Sequence, residues 1–233
     1  MKRIVSVIFV LALLVCCFPT VTSGAEVLMT DSGIQYSVNR GAVTIEGFVG
    51  GGTVMNIPSK IDGLPVTAIA AQTCRGDMAL TEVRIPKSVT SIGEYAFAEC
   101  PNLTKVVING CKFIGRSAFR DCKALLTLKL PGNLDTIDDF AFEGCTMLGK
   151  VEIPKNLQTI GTDAFMGCER LRFVLNGNSA AKAHAKKYNI PTSFADTWEF
   201  TVIMIVIVSV VLGGALSVFT KKADKKKKIS KKR

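Results

Sequence analysis

The sequence has little of the chemistry that enzymes and metal proteins require. It contains one histidine, His184, and beyond the first 25 residues no two cysteines have the close spacing of a zinc site. The glycine-rich VGGGTV lacks the Lys-Ser/Thr ending of a phosphate-binding loop. Asp138, Asp139 and Glu143 do not make a recognisable glycosidase carboxylate pair. We predict that His184 is a solvated helix residue and not a catalytic base. We therefore expect no enzyme, no metal and no cofactor.

The basic charge is confined to the two ends of the chain. Of the net charge of +10, residues 221–233 contribute +8 and residues 2–3 contribute +2, so the remainder sums to zero. A basic tail beside a membrane span is explained by topology and by anionic inner-leaflet lipids. The distribution argues against a nucleic-acid partner.

Both ends carry apolar segments. Residues 4–15 follow two cations and precede small residues, which indicates a signal peptide cleaved near Ala25 rather than an uncleaved anchor. Residues 200–219 are twenty uncharged residues, enough for about 30 Å of helix. We expect a membrane span with its basic side in the cytoplasm rather than a buried core helix, which a chain of this size could not surround.

One nine-residue phrase occurs four times: IGEYAFAEC, IGRSAFRDC, IDDFAFEGC and IGTDAFMGC. The aligned phenylalanines, Phe97, Phe119, Phe142 and Phe165, are 22, 23 and 23 residues apart. A fixed period of this size predicts a solenoid of stacked coils.

Each repeat is predicted to form a short strand and about one helical turn. Segments such as LTKVVIN alternate like a strand with one face buried, and AF..C has room for the turn. The glycines that follow the isoleucine of the repeat, Gly93, Gly115 and Gly161, are predicted to have a positive φ. A hairpin within residues 32–59 and a helix starting at Asn178 or Ser179 are the expected caps. The predicted structural core comprises Phe97, Phe119, Phe142, Phe165, Cys100, Cys122, Cys145 and Cys168.

Six cysteines remain after signal removal, which an extracellular chain would ordinarily pair as three disulfides. Four of them occupy one repeat position, and the other two replace apolar core residues, so we favour buried free thiols. The strand spacing of about 4.8 Å leaves bridging between neighbouring coils geometrically open.

The unit L..V.IP..V..IG..AF..C, the entry SGIQYSVNRGAVTIEGF and the closing NGNSAAKAHAKKYNIPTSF resemble the BspA-like leucine-rich repeat family of bacterial surface proteins. The resemblance covers residues 31–194. It implies a β-rich leucine-rich-repeat solenoid that acts in adhesion or recognition at the cell surface, without enzymatic activity. Cys74, Asp77, Asn109 and Asp138 depart from the pattern without affecting the expected fold.

The predicted organisation has six segments. They are a signal peptide at 1–25, an N-terminal β cap with a degenerate repeat at 26–66, leucine-rich repeats at 67–176, a C-terminal cap at 177–197, a transmembrane helix at 198–220 and a cytoplasmic tail at 221–233. The chain would thus be a single-pass protein of the cell membrane with its solenoid outside.

The candidate ligand site is the outward side of the strands. Residues between the inward positions should align into columns across the repeats. We expect this face to bind an extracellular protein or polysaccharide; the alternative is a structural envelope protein without a soluble ligand. The candidate site residues are Lys105, Thr127, Lys129, Lys150, Glu152 and Phe173.

Overall fold

The residues that the structure describes form short strands and one helix, which lies near their C-terminal end. The structure is a computed structural model, and it describes residues 26–50 and 52–193. The elements in chain order are β1 (Leu28–Met29), β2 (Ile34–Asn39), β3 (Ala42–Phe48), β4 (Val54–Asn56), β5 (Lys60–Ile61), β6 (Leu64–Ile69), β7 (Glu82–Ile85), β8 (Ser91–Ile92), β9 (Lys105–Ile108), β10 (Phe113–Ile114), β11 (Thr127–Lys129), β12 (Thr136–Ile137), β13 (Lys150–Glu152), β14 (Thr159–Ile160), β15 (Arg172–Val174) and α1 (Ser179–Lys187).

The repeating coils place their strands in two parallel arrays on either side of the core. The first array contains β4, β7, β9 and β11 in one sheet, followed by the pair β13 and β15. The second contains β6, β8, β10, β12 and β14. Equivalent residues of successive coils pair directly, as Val83 does with Val106 and Val106 with Leu128. The sequence period therefore becomes the strand register, and the leucine-rich-repeat solenoid is confirmed.

The AF..C segment is a series of turns, and the predicted helical turn is wrong. Tyr95 and Glu99 have φ angles of 54° and 60°, in the left-handed region that an α-helix excludes. These turns direct backbone N–H groups at the next coil: Phe97 donates to the carbonyl of Ala118, and Phe119 to that of Ala141, each at 2.8 Å. A helical turn would use its own carbonyls instead, whereas these bonds stack one coil on another.

The repeat glycines serve close coil packing, and the predicted positive φ is wrong. Gly93, Gly115 and Gly161 are absent from the positive-φ residues of the described chain. A Cβ on Gly93 would lie 2.5 Å from the backbone nitrogen of Ala71, and one on Gly115 would lie 2.8 Å from the carbonyl oxygen of Ile92. A side chain at these positions would therefore push neighbouring coils apart.

The repeat phenylalanines form a column through one continuous core. Ring centroids are 5.3 Å apart for Phe97 and Phe119, 5.3 Å for Phe119 and Phe142, and 5.2 Å for Phe142 and Phe165, with the rings nearly parallel. The first three rings are fully buried and Phe165 is 4% exposed. The column predicted from the repeat is thus present in the structure.

The four repeat cysteines, Cys100, Cys122, Cys145 and Cys168, form a second column beside the rings. All six cysteines of residues 26–193 are free thiols, as we expected from their repeat positions. The thiols of Cys122 and Cys145 donate to the carbonyls of Phe97 and Phe119, one coil earlier, at 3.0 and 3.2 Å. The cysteine side chain thus packs in the apolar core and also donates a hydrogen bond to a buried carbonyl.

Three of the buried thiols, those of Cys111, Cys122 and Cys145, are held in their protonated form by a raised pKa. Burial raises the pKa of Cys111 to about 11. The hydrogen bond with the Cys100 thiol, followed by burial, raises the pKa of Cys122 well above its usual range. The thiol of Cys168 and then burial act in the same way on the pKa of Cys145. These groups are therefore hydrogen-bond donors at neutral pH and not nucleophiles.

The two ends of the core are covered by different elements. At the N-terminal end, β2 and β3 form an antiparallel hairpin where a hairpin cap is expected. At the other end α1 begins after Asn178, whose side-chain oxygen accepts a 2.7 Å bond from the N–H of Ala181. The Asn178 amide nitrogen also donates to the carbonyls of Pro154, Lys155 and Leu157. This buried residue thus caps the helix and ties it to the preceding coil.

The described residues as far as Thr192 make one compact unit. Among the described residues, one core cluster extends from Ile34 to Ala185, and it is covered by the β2–β3 hairpin at one end and by α1 at the other. The segment 26–193 therefore has what an independently folding solenoid requires.

The lone histidine closes the ring column, so its prediction as a solvated helix residue is wrong. His184 is 7% exposed and lies 6.3 Å from Phe165 and 4.5 Å from Tyr188 between ring centroids. Burial, followed by the charge of Lys187, lowers the pKa of His184 to about 4 from the usual 6.5, although Asp163 opposes the shift. The ring is neutral at neutral pH.

We expect His184 to make the solenoid lose stability in mild acid. Between pH 6.5 and about 4 the unfolded chain binds a proton at this residue that the folded chain does not, so the free energy of unfolding falls as pH falls. The loss is on the order of 3 kcal/mol. Urea unfolding of residues 26–193 should show it, and His184→Gln should flatten that part of the profile. An equal fall in both proteins would contradict this assignment.

Three predicted segments lie outside the described residues: the signal peptide at 1–25, the transmembrane helix at 198–220 and the tail at 221–233. In the part of the chain that the structure describes, no helix has the length and apolar character needed to span a bilayer. The predicted C-terminal cap at 177–197 is described only as far as residue 193.

Candidate binding site on the strand face

The outward side chains of β7, β9, β11, β13 and β15 form one surface, which we call the strand face. Inward residues such as Val83, Val106 and Val151 are fully buried, so their neighbours in each strand point to solvent. The observed pairing places Glu82 beside Lys105 and Lys105 beside Thr127. The strand face consists of Glu82, Arg84, Lys105, Val107, Thr127, Lys129, Lys150, Glu152 and Arg172.

Five of the six candidate residues lie on this face, and the prediction for Phe173 is wrong. Phe173 is fully buried, pairs with Val151 and meets the Phe165 ring edge-on at 5.1 Å. Arg172 pairs with Lys150 and is the exposed residue. The cause is a chain shortened by one residue: Val151 follows Cys145 by six residues, whereas Phe173 follows Cys168 by five. Counting five residues from Cys168, the spacing that correctly identifies Lys150 from Cys145, selects Phe173 instead of the exposed Arg172.

At the N-terminal end of the strand face the charges are paired. The Glu82 carboxylate accepts from the Arg84 guanidinium at 2.7 Å and lies 3.1 Å from the Lys105 ammonium. The hydrogen bonds from Arg84 and then Lys105 lower the pKa of Glu82. One acid thus neutralises part of two cations across neighbouring strands.

The C-terminal end of the strand face is more open. Lys150 and Glu152 form an ion pair of 3.0 Å in which both side chains are more than 60% exposed, so solvent screens it strongly. Lys129 and Arg172 are exposed and make no ion pair with any described residue. Thr127 is also exposed and adds a hydroxyl group. This end offers cationic groups that are free to bind a ligand.

The rest of the described surface has a cavity but no group of side chains that could hold a metal ion. A cavity of about 310 Å³ lies between β14 and α1, and His184, Lys187 and Tyr188 are among its lining residues. Over residues 26–50 and 52–193, no three His, Cys, Asp or Glu side chains are grouped as a metal ion would need. The strand face remains the strongest candidate for a binding site.

Comparison with known proteins agrees with this architecture. A family model described as BspA type leucine rich repeat region, in six copies, matches residues 67–188. A leucine rich cell surface protein from Faecalibacterium prausnitzii is 31% identical with a TM-score of 0.57, and the match covers 62% of this chain and 41% of that one. This chain thus corresponds to less than half of that protein's length.

Two further solved structures are more distant. A leucine rich repeat protein from T. pallidum is 25% identical with a TM-score of 0.45, over 72% of this chain and 99% of that one. One from Bacteroides capillosus is 22% identical with a TM-score of 0.44, over 63% and 97%. No curated protein matches the chain. Because the family model covers more than half of the sequence, the chain belongs to the BspA-type leucine-rich repeat family.

Proposed function

We propose that the chain is a non-enzymatic binding module of the bacterial cell surface whose solenoid presents the strand face to an extracellular protein or polysaccharide. The observation that carries this proposal is the strand face itself. Its side chains are held in register by paired strands above a fully buried core, and its C-terminal half is open to solvent. The backbone of such a surface is preorganised, so it loses little conformational entropy on binding.

The surface location draws on two further observations. The F. prausnitzii relative is described as a cell surface protein. The sequence has the composition of a signal peptide at 1–25 and of a span with a basic tail at 198–233. We propose one membrane span, with the solenoid outside and the tail in contact with anionic inner-leaflet lipids.

Binding to panels of matrix proteins, wall polymers and glycans tests this proposal. We expect residues 26–193 to bind a member of the panel saturably, and the variant K105E/K129E/K150E to lose that binding while it keeps its far-UV spectrum. A matched control, K112E/K182E/K186E, changes three exposed cations away from the strand face and should bind normally. Equal loss in both variants would reject the strand face. Absence of binding across the panel would favour a structural role in the envelope.

A further inference from the structure

The strand face carries one cation on each of five successive strands. Across residues 26–193 there are 18 lysines and arginines and 16 acids, whereas the strand face has five cations and two acids. The cations are therefore concentrated on this side of the solenoid. In strand order they are Arg84, Lys105, Lys129, Lys150 and Arg172.

The two acids do not neutralise this row. Glu82 is shared by Arg84 and Lys105, and Glu152 contacts only Lys150. The strand face keeps a net charge of +3, with Lys129 and Arg172 unpaired among the described residues. A surface of this kind selects a ligand with repeated negative charge.

The uncharged residues of the strand face narrow the class of ligand. They are Val107 and Thr127, and the neighbouring strand β4 adds Val54 and Asn56 at the N-terminal end of that face. The one aromatic side chain expected there, Phe173, lies in the core. Protein interfaces usually depend on buried aromatic or large apolar anchors, and single-stranded nucleic acids on aromatic stacking. The strand face provides neither, so charge and hydrogen bonding must carry recognition.

The dimensions of the row fit an extended chain. Paired strands are spaced about 4.8 Å apart, so five stacked coils spread the cations over a length on the order of 20 Å. The pairing is interrupted between β11 and β13, and Arg84 and Lys129 share one column of the register while Lys105 lies in the other. β11, β13 and β15 are three residues long, so the surface is narrow across that direction. We propose, building on the binding role above, that the strand face binds a linear acidic polysaccharide. The sugar chain lies across the strands, and its carboxylate or sulfate groups contact Lys129, Arg172 and the flanking cations.

Polygalacturonate is the probe, and neutral dextran is its uncharged counterpart. Residues 26–193 should bind polygalacturonate and not dextran, and raising the salt from about 50 to about 200 mM should weaken binding roughly tenfold through counterion release. K129Q/R172Q should weaken binding about tenfold at the lower salt concentration. The control K182Q/K186Q removes two exposed cations from α1 and should change it less than about twofold. Thermal unfolding establishes that all variants are folded.

The outcomes separate this inference from the broader proposal. Equal weakening in K129Q/R172Q and K182Q/K186Q, or binding that does not respond to salt, would overturn the acidic ligand. If a neutral glycan or a protein binds and K105E/K129E/K150E abolishes that binding, the binding role stands and the acidic ligand is rejected. If no ligand depends on the strand face, both proposals fail.

Discussion

Phe142→Ala should lower the free energy of unfolding of residues 26–193 by about 3 to 5 kcal/mol. Phe142 is fully buried and stacked between two rings, with centroids 5.3 Å from Phe119 and 5.2 Å from Phe165. Its removal leaves a cavity in the middle of the column that coils on either side cannot fill without losing their own hydrogen bonds. Because total stability is on the order of 5 to 15 kcal/mol, the thermal midpoint should fall by about 10 °C or more.

Phe113→Ala is the matched control for this measurement. Phe113 lies in β10 with its side chain 40% exposed, so its removal deletes the same ring without opening a core cavity. We expect a midpoint change within about 3 °C. Differential scanning calorimetry of the two variants makes the comparison. Similar small changes in both would show that the rings do not form a close-packed column.

Among the substitutions, Gly93→Ala should have the second largest effect on stability and lower the free energy of unfolding by about 2 to 3 kcal/mol. The added methyl group would lie 2.5 Å from the nitrogen of Ala71 and 2.6 Å from the carbonyl carbon of Ala70. Both atoms belong to the backbone of the preceding coil, so neither can move as a flexible side chain would. The φ of Gly93 is outside the left-handed region, which leaves contact between coils as the cause of the loss.

Gly132→Ala provides the control, because no heavy atom lies within 4 Å of the position of its added Cβ. Its φ is also outside the left-handed region, so alanine should leave stability unchanged or raise it by about 0.5 kcal/mol through the unfolded chain. Urea titrations of the two variants give the free energies. Equal stability of the two would mean that glycine at position 93 is not required for coil packing.

The prediction of the strand face succeeded where the repeat is regular and failed where its length changes. Lys105, Thr127, Lys129, Lys150 and Glu152 lie on the face because, in their coils, the inward residue of the strand follows the cysteine by six positions. Phe173 does not, since the last coil has one residue fewer before the strand and alternation moves every side chain to the opposite side. A ring at that position also finds apolar contact with Phe165.

The sequence by itself determined the period, the inward positions and the capping of the helix. A repeat of 22 or 23 residues with Phe and Cys at constant positions has one way to bury its apolar side, which is to stack. Asn178 or Ser179 could be predicted as the cap from its place before an alanine-rich segment, and the structure shows that the cap is Asn178.

Only the tertiary structure decided how neighbouring coils touch. The AF..C turns contain left-handed residues such as Tyr95 because their N–H groups bond to the next coil. The acceptor lies 21 or 22 positions further along the chain, so local propensity does not reveal it. Gly93 is needed because another coil lies against it, and His184 is neutral because the end of the ring column buries it. These features depend on distances between coils, which arise from stacking and from no single repeat.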